Sequence, residues 1–344
     1  MKRRWTIAGV ATLCIALYVG AYLMVNSSIA GETSDIARVP LVDLPAADDV
    51  LDITTWNVGY GGLGAGSDFV ADGGAHYFPP SRRAVRDNVR GIATFLSGEG
   101  ADIVLLQELA RPSPVNLWHD VKGAADRALS NTDRSFYADF RTRLMPWPLS
   151  FRHGQGVYAR RAIASVELVP LPAEGGSILG AKRRYAALAV RIPISGRDRG
   201  WTIASLHLAA FDKDAAVRRR QLSALLRWAE SEYESGQHVV LGGDFNLELA
   251  ETHFPYTTAR EHLFWLFPFP DEGLPAGWRI AADPGTASVR TNERPYRRGE
   301  NYTTVIDGFI VSPNVAAERV AGVDLDFQNA DHNPVRVRVR ATGR

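Results

Sequence analysis

Between residues 50 and 340 the apolar and polar positions follow two rhythms. Short apolar runs bounded by Gly or polar residues predict strands, several of them buried on both faces. They are VLDITTWNV from 50, ADIVLLQEL from 101, GQGVYAR from 154, IASVELVPL from 163, RYAALAVRIPI from 184, WTIASLHLA from 201, VVLGGDFNLE from 239, TTVIDGFIVS from 303 and RVAGVDLDF from 319. In PVRVRVR, from 334, valines alternate with arginines, so that strand has one wet face. Two stretches carry a helical period instead. From Ser81, a candidate N-cap, Val85, Val89, Ile92, Ala93 and Leu96 recur at helical spacing towards Gly98. A second helix runs from Lys213 and ends at Gly236. There are no internal repeats, and the many strands exceed what one simple parallel sheet uses, so the pattern is α/β.

Ahead of this region the pattern changes. Residues 6 to 25, TIAGVATLCIALYVGAYLMV, carry no charge, and Lys2, Arg3 and Arg4 precede them. Twenty apolar residues match a hydrocarbon core of ~30 Å, and leading basic residues hold an N-terminus in the cytoplasm. Ser28, Ile29 and Ala30 before Gly31 resemble a small-residue cleavage site. Residues 1 to 30 are therefore a membrane anchor or a signal peptide. The rest is expected to be exported: anchored on the extracytoplasmic face, or secreted or periplasmic if cleaved. Residues 31 to 50, with Pro40 and Pro45, read as a linker, and residues 51 to 341 as one catalytic domain.

Composition adds two constraints. The only cysteine, Cys14, lies inside the apolar run, which leaves the exported part no disulfide, no Cys metal site and no Cys nucleophile. The chain beyond residue 30 holds 36 Lys and Arg against 38 Asp and Glu, a net charge of −2. No global basic field favours nucleic acid, although Lys182 to Arg184, Arg218 to Arg220 and the Arg297–Arg298 pair could line a local groove.

The strand ends carry the candidate chemistry. Asn57 follows ITTW, Gln107 and Glu108 follow DIVLL, His207 follows TIASL, and Asp244 and Asn246 follow VVLGG; Asp307 lies within TTVIDGFIVS, and Asp331 and His332 precede NPVRVRV. Each alone reads as a loop residue or a satisfied core group. Together they are the parts of a site that binds Mg²⁺ through oxygen and moves protons through histidine.

With TTWNVGY, ADIVLLQEL, ASLHL, GGDFN, IDGFIVS and ADHNPV in this order, the sequence resembles the endonuclease/exonuclease/phosphatase superfamily, DNase I-like in fold. The resemblance spans about residues 51 to 340 and does not identify the branch. It implies a four-layer α/β sandwich, two packed mixed β-sheets with helices outside, and a site where strand ends converge. It also implies Glu108 as the principal ligand of Mg²⁺, or of Mn²⁺, with Asn57 and Asp331 beside it. His332 becomes general base or phosphate-contacting imidazole, oriented by Asp307. Asp244 positions the attacking water, and Asn246 and His207 bind the substrate phosphate. Whether Asp244 or His332 takes the water proton stays open.

Other features lie outside that pattern. The Gly-rich stretch 57 to 81 lacks a P-loop signature. Arg218 and Gln221 are expected to be structural. His153 is expected at the surface. The aromatic run at 262 to 270 reads either as a membrane-facing loop or as a lid packed on the core. The expectation is a Mg²⁺-dependent phosphoester hydrolase, since a binding module on the same fold needs no complete proton-transfer set. A lipid-linked or headgroup substrate is favoured over nucleic acid, because an anchor and an exposed-looking aromatic run both point to a bilayer.

Overall fold

The structure is a computed structural model describing residues 2–29, 31–173, 175–210, 212–270 and 273–343. Ala30, at the cleavage-like stretch, lies outside the described residues, as do the side chains of the leading basic residues. Helix α1 (Lys2–Asn26) precedes strands β1 (Ala37–Val39) and β2 (Val50–Asn57). Helix α2 (Arg82–Gly98), strand β3 (Ile103–Ala110) and helix α3 (Val121–Ala128) follow. Strands β4 (Asp133–Arg141), β5 (Arg152–Ala159), β6 (Ser165–Pro170), β7 (Ala186–Ile192) and β8 (Trp201–His207) lead to helix α4 (Ala216–Glu234). The chain closes with β9 (His238–Asp244), β10 (Arg279–Ala281), β11 (Val289–Arg290), β12 (Thr303–Thr304), β13 (Asp307–Val311), β14 (Val315–Gly322) and β15 (Val335–Ala341).

Two large sheets result, in the orders β1-β4-β5-β3-β2-β15-β14 and β10-β13-β9-β8-β7-β6. Their inner faces meet in one core in which Leu51, Ile53, Ile103 and Val337 of the first sheet pack with Leu188, Ile203, Val240 and Phe309 of the second. Helix α2 covers the outer face of the first sheet through Ile92 and Leu96, and α4 covers the second through Leu222, Leu225 and Ala229. This is the four-layer sandwich expected from the sequence, with mixed sheets because β2–β3 and β8–β9 are parallel and the other pairs antiparallel. The predicted cap is present, with the Ser81 hydroxyl accepting from the Ala84 N–H at 3.1 Å. On β15 the valines are buried and the arginines exposed; Arg336 bonds Glu99 and Arg338 bonds Asp52.

Three elements depart from the sequence reading. Residues 31 to 50 are not a free tether. Ala37–Val39 pairs with β4, Asp35 receives Arg141 at 2.5 Å and Arg184 at 2.9 Å, and Ala47 is buried with its N–H on the Pro193 carbonyl. The run at 303 is split, since the Val305 and Ile306 carbonyls accept from Leu249 and Phe245 instead of continuing one ladder. Strand β4 has no apolar rhythm because Asp133, Ser135 and Asp139 are buried alongside its aromatics.

Candidate active site

Parallel pairing decides which side chains meet. Asn57 and Gln107 are register partners at the ends of β2 and β3, and His207, Asp244 and Asp307 stand side by side across β8, β9 and β13. The two sheets therefore bring their polar ends to one edge, and Asn57 bridges them by donating Nδ2–H to Asp244 Oδ2 at 3.0 Å. The double glycine of VVLGGDFN is what lets β9 enter this crowded place. A Cβ on Gly242 would lie 2.6 Å from the Phe309 ring, and one on Gly243, at φ +150°, would lie 2.1 Å from the Leu206 carbonyl oxygen. Glu108 and Asn246 are both left-handed, at φ +53° and +50°. Glu108 lies where β3 slips register against β5, and the slip turns its side chain out of the strand rhythm. Such conformations cost of order 1 kcal/mol or more each and concentrate at functional sites.

One hydrogen-bonded chain runs through the buried floor. The Ser288 hydroxyl donates to Asp307 Oδ2 at 2.8 Å and accepts from the Ile306 and Asp307 N–H groups. His332 donates its Nδ1–H to the same Asp307 oxygen at 2.8 Å and turns Nε2 towards Asp244 Oδ2, 3.8 Å away. The other Asp244 oxygen accepts from the Asn246 N–H at 2.9 Å. Burial opposes charge on His332, but Asp307 and Asp244 outweigh it and hold the imidazole pKa well above its usual value. Asp244 is pushed up to about 6, first by burial and then by Asp307. His207 goes the other way, driven down by burial and by Arg183. Arg183 can only donate, so its 3.1 Å contact makes His207 Nδ1 an acceptor and leaves the proton on Nε2. That Nε2 lies 3.6 Å from Asp244 and 3.9 Å from Glu108.

The other flank holds acidic oxygens. Glu108 is pushed up to about 8, by burial and then by the charge of Asp331. Asp331 Oδ2 accepts from Asn292, which also reaches the half-buried Asp72, while Asp331 Oδ1 is buried with no hydrogen-bond partner among the described residues. Gly59 packs so closely here that a Cβ would meet Asp331 Oδ1 at 2.6 Å. Mutually repelling carboxyls with an unused oxygen are what a hard divalent cation relieves, so Asn57, Glu108 and Asp331 fit such an ion. A tighter group, whose ligand atoms lie within 4.8 Å of one another, is Asp244, Asp307 and His332. Most of its atoms already bond Asn57, Asn246, Ser288 or one another; among the described residues Asp307 Oδ1 has no partner and His332 Nε2 comes no nearer to a carboxylate than 3.8 Å, and this favours a proton network there over a metal.

Above the floor, a cleft of about 510 Å³ opens between these groups and an aromatic wall that includes Phe69, Phe140, Phe151 and Trp265. Two expectations change here. His153 is not on the surface; it stacks on Phe140 with ring centres 5.1 Å apart, meets Tyr60 edge-on and lines the cleft, and burial pushes it down to about 4. The aromatic run at 262 to 270 is a packed lid. Trp265 is only 6% exposed and Phe267 and Phe269 rest on the core, whereas Phe264 alone is half exposed. The sequence reading also passed over Arg183 as a functional residue. Its guanidinium is clamped by Asp139 at 2.7 Å and lines the cleft beside His207. The available signal was the acid in FYADF, a charge inside an apolar stretch of β4 in the opposite sheet.

Arg218 and Gln221 have structural partners. Fully buried Arg218 bonds Asp212 at 2.7 Å and the carbonyls of Asn246, Trp265 and Ala210, so it ties the Asn246 turn to the lid. Gln221 accepts from the Ala209 N–H and donates to the Pro172 carbonyl. Removing one partner leaves a buried charge, so Arg218→Leu is expected to destabilise the fold by about 3–5 kcal/mol. Urea denaturation checks this, and a loss under about 1 kcal/mol would contradict it.

Strand-end carboxylates, an imidazole–carboxylate pair and an oxygen-rich flank on a four-layer sandwich define a divalent-metal-dependent phosphoester hydrolase. A profile of the Endonuclease/Exonuclease/phosphatase family matches residues 54–332, and the chain belongs to that family. Among solved structures, it is similar to an endonuclease/exonuclease/phosphatase from Beutenbergia cavernae at 18% identity and TM-score 0.54, covering 86% of this chain and 72% of that one. It is similar to D. rerio TDP2 complexed with a single-strand DNA product at 16% identity and TM-score 0.53, covering 86% and 100%. The human Nocturnin catalytic domain with a bound sulfate anion gives 14% identity and TM-score 0.52, covering 90% and 99%. At these identities the likeness is one of fold. A search of curated proteins returned no match.

Proposed function

We propose that this chain is a membrane-anchored hydrolase of a lipid-linked or headgroup phosphoester, working on the extracytoplasmic side. The observation that carries the hydrolase reading is the chain from Asn57 through Asp244 to His332 and Asp307 on the cleft floor. Asp244, oriented by Asn57 and the Asn246 N–H and lifted towards neutrality, accepts the proton of the attacking water. His332, kept as an imidazolium by Asp307, donates Nε2–H to a phosphate oxygen, and the Nε2–H of neutral His207 and the Asn246 amide bind the same group. Asn57, Glu108 and Asp331 would hold Mg²⁺, or Mn²⁺, which would supply Lewis-acid withdrawal of charge from the phosphate.

Two features support an anchored enzyme with an amphiphilic substrate. The stretch Ala8–Asn26 is long and apolar enough to cross a membrane and is 6% buried in the fold. Its last turns are nevertheless bound to the domain, with Tyr22 donating to the Leu179 carbonyl at 2.7 Å and Asn26 to the Arg143 carbonyl at 2.9 Å. Cleavage after residue 30 would strip those partners away, which favours a retained anchor. The cleft wall is aromatic, and the basic runs that could line a nucleic-acid groove are largely neutralised: Arg183 on Asp139, Arg184 on Asp35, Arg218 on Asp212, and Arg298 on Asp324 and Asp326.

Full-length protein with Mg²⁺ is tested against duplex DNA, sphingomyelin, phosphatidylinositol phosphates and a soluble bis-phosphodiester. A lipid phosphoester is expected to turn over at least about tenfold faster than DNA, and residues before Gly31 are expected in the mature protein by mass spectrometry. Efficient DNA cleavage without lipid turnover would reverse the substrate reading, and a mature N-terminus at Gly31 would reverse the anchor.

A further inference from the structure

The end of α1 is bound to the loops that form the mouth of the cleft. Tyr18 donates its hydroxyl to the Leu144 carbonyl and Tyr22 to the Leu179 carbonyl. The Asn26 carbonyl accepts from the Lys182 N–H, and its side-chain oxygen accepts from the Arg143 N–H. Leu23 and Tyr22 press against Gly180, where a Cβ would be 2.9 Å from Leu23. Gly176, Ser177 and Ile178, in the same loop, line the cleft.

These contacts set a depth. At 1.5 Å per residue, Tyr18 stands about 12 Å and Tyr22 about 6 Å below the C-terminal end of α1. Both lie inside the apolar run that ends at Val25. If that run occupies the hydrocarbon, loops bound to Tyr18 and Tyr22 cannot remain in bulk water; they must lie at the boundary between headgroups and acyl chains. The composition of the loops matches that location. Leu144, Trp147, Leu149, Ile178 and Leu179 are all exposed, Trp147 by 76% and Ile178 by 61%. So many exposed apolar side chains on two adjoining loops are a cost in water and a fit to the interfacial region, where tryptophan and tyrosine concentrate. The loop that carries Trp147 is held in shape, with Leu149 N–H on the Pro146 carbonyl and Trp118 Nε1–H on the Pro148 carbonyl. Lys182 is exposed at the end of α1, at headgroup level.

We infer that residues 144–149 and 178–179 form a bilayer-docking rim, set into the lipid interface by α1, so that the cleft opens directly onto the membrane surface. This rests on the anchored reading of α1 and sharpens the substrate class: a phosphoester whose apolar part stays in the bilayer while its phosphate rises to Asp244 and His332. The packed lid at 262 to 270 is excluded from this role, because Trp265 and Phe267 are already committed to the protein interior.

The test uses the full chain reconstituted into phosphatidylcholine–phosphatidylglycerol vesicles whose acyl chains are brominated near the headgroup. Trp147→Phe isolates the one indole. Quenching in the wild type is expected to exceed that in Trp147→Phe. A second variant, Trp147→Asp with Leu149→Asp, changes two residues that do not line the cleft. It is expected to keep turnover of a soluble bis-phosphodiester and to lose at least about tenfold on a vesicle-embedded phosphoester. Equal quenching in wild type and Trp147→Phe overturns the rim whatever the enzyme hydrolyses, and so does an unchanged rate of the aspartate variant on vesicles. Trp147 quenching with no lipid turnover upholds the rim and removes the lipid-substrate reading instead, so the two failures are distinguishable.

Discussion

His332→Ala is expected to lower kcat on a soluble phosphodiester by about 10²–10⁴-fold, the range that positioned proton transfer supplies. Asp307→Asn should come close to it without touching substrate. The imidazole is held by a single 2.8 Å bond from Nδ1–H to Asp307 Oδ2, and the charge of Asp307 is a main reason it stays protonated. An asparagine keeps the volume but removes that charge and lets the ring turn over or deprotonate. The double variant should fall within a few-fold of the worse single one, because groups that act as one unit are non-additive. Ser288 supplies the control. Its hydroxyl donates to the same Asp307 oxygen but carries no charge and no transferred proton, so Ser288→Ala should cost less than either. Thermal melts establish that each variant is folded, and losses that add in log rate would show that His332 and Asp307 work separately.

Why these residues could be read from the sequence, and others could not, follows from how each is placed. Asn57, His207 and Asp244 end apolar strands and Glu108 follows the apolar run of β3 at its bulge, and a strand end in a buried sheet has one place to go. Parallel pairing of β2 with β3 and of β8 with β9 then brings them together. Asp307 and Asp331 with His332 come from the same edge of the sandwich. The residues that surround them carry no such mark. Arg183 sits in a run of three cations that reads as a solvated face, and its clamp on Asp139, 44 residues away, with its contact to His207, holds it half-buried in the cleft. Asn292 and Asp72 lie outside the main strands and Arg290 ends the two-residue strand β11, and their places are set by long-range bonds: Asn292 reaches Asp72, and Arg290 donates to the carbonyls of Leu63, Gly64 and Ser67. Burial of a polar group depends on a partner, and a partner far along the chain leaves no local trace.

The aromatic run gives the converse case. Local apolarity at 264 to 269 is compatible with a bilayer or with the core, and what decides is Arg218, which holds the Trp265 carbonyl at 2.8 Å and lies 5.3 Å over the Phe267 ring. The lipid argument therefore passes from that run to the loops beside α1. Their signal in the sequence was weak, because Trp147 and Leu149 alternate with prolines and fall in no periodic element.

Glu108→Gln is expected to lower turnover by about 10² or more, and also to change stability in a way that activity alone does not show. The carboxyl is raised to about 8 by burial and by Asp331, against an unfolded value of about 4.3. A raised carboxyl favours folding in its protonated form. That stability is complete below about pH 4.3 and is lost as pH rises towards 8. In EDTA, wild type and Glu108→Gln should therefore melt together near pH 4, while at pH 8 the glutamine variant should melt higher, since it buries no charge. Adding Mg²⁺ at pH 8 reverses the order. An ion that binds only the folded state stabilises by about 2.7 kcal/mol at a hundredfold excess over its Kd, so the wild-type Tm should rise by several degrees while the variant scarcely moves. Full turnover in EDTA, or an equal Mg²⁺ shift in the variant, would remove Glu108 from the metal site. The tight group of Asp244, Asp307 and His332 would then be the place to look for the ion, with Asp307 Oδ1 as its free ligand atom.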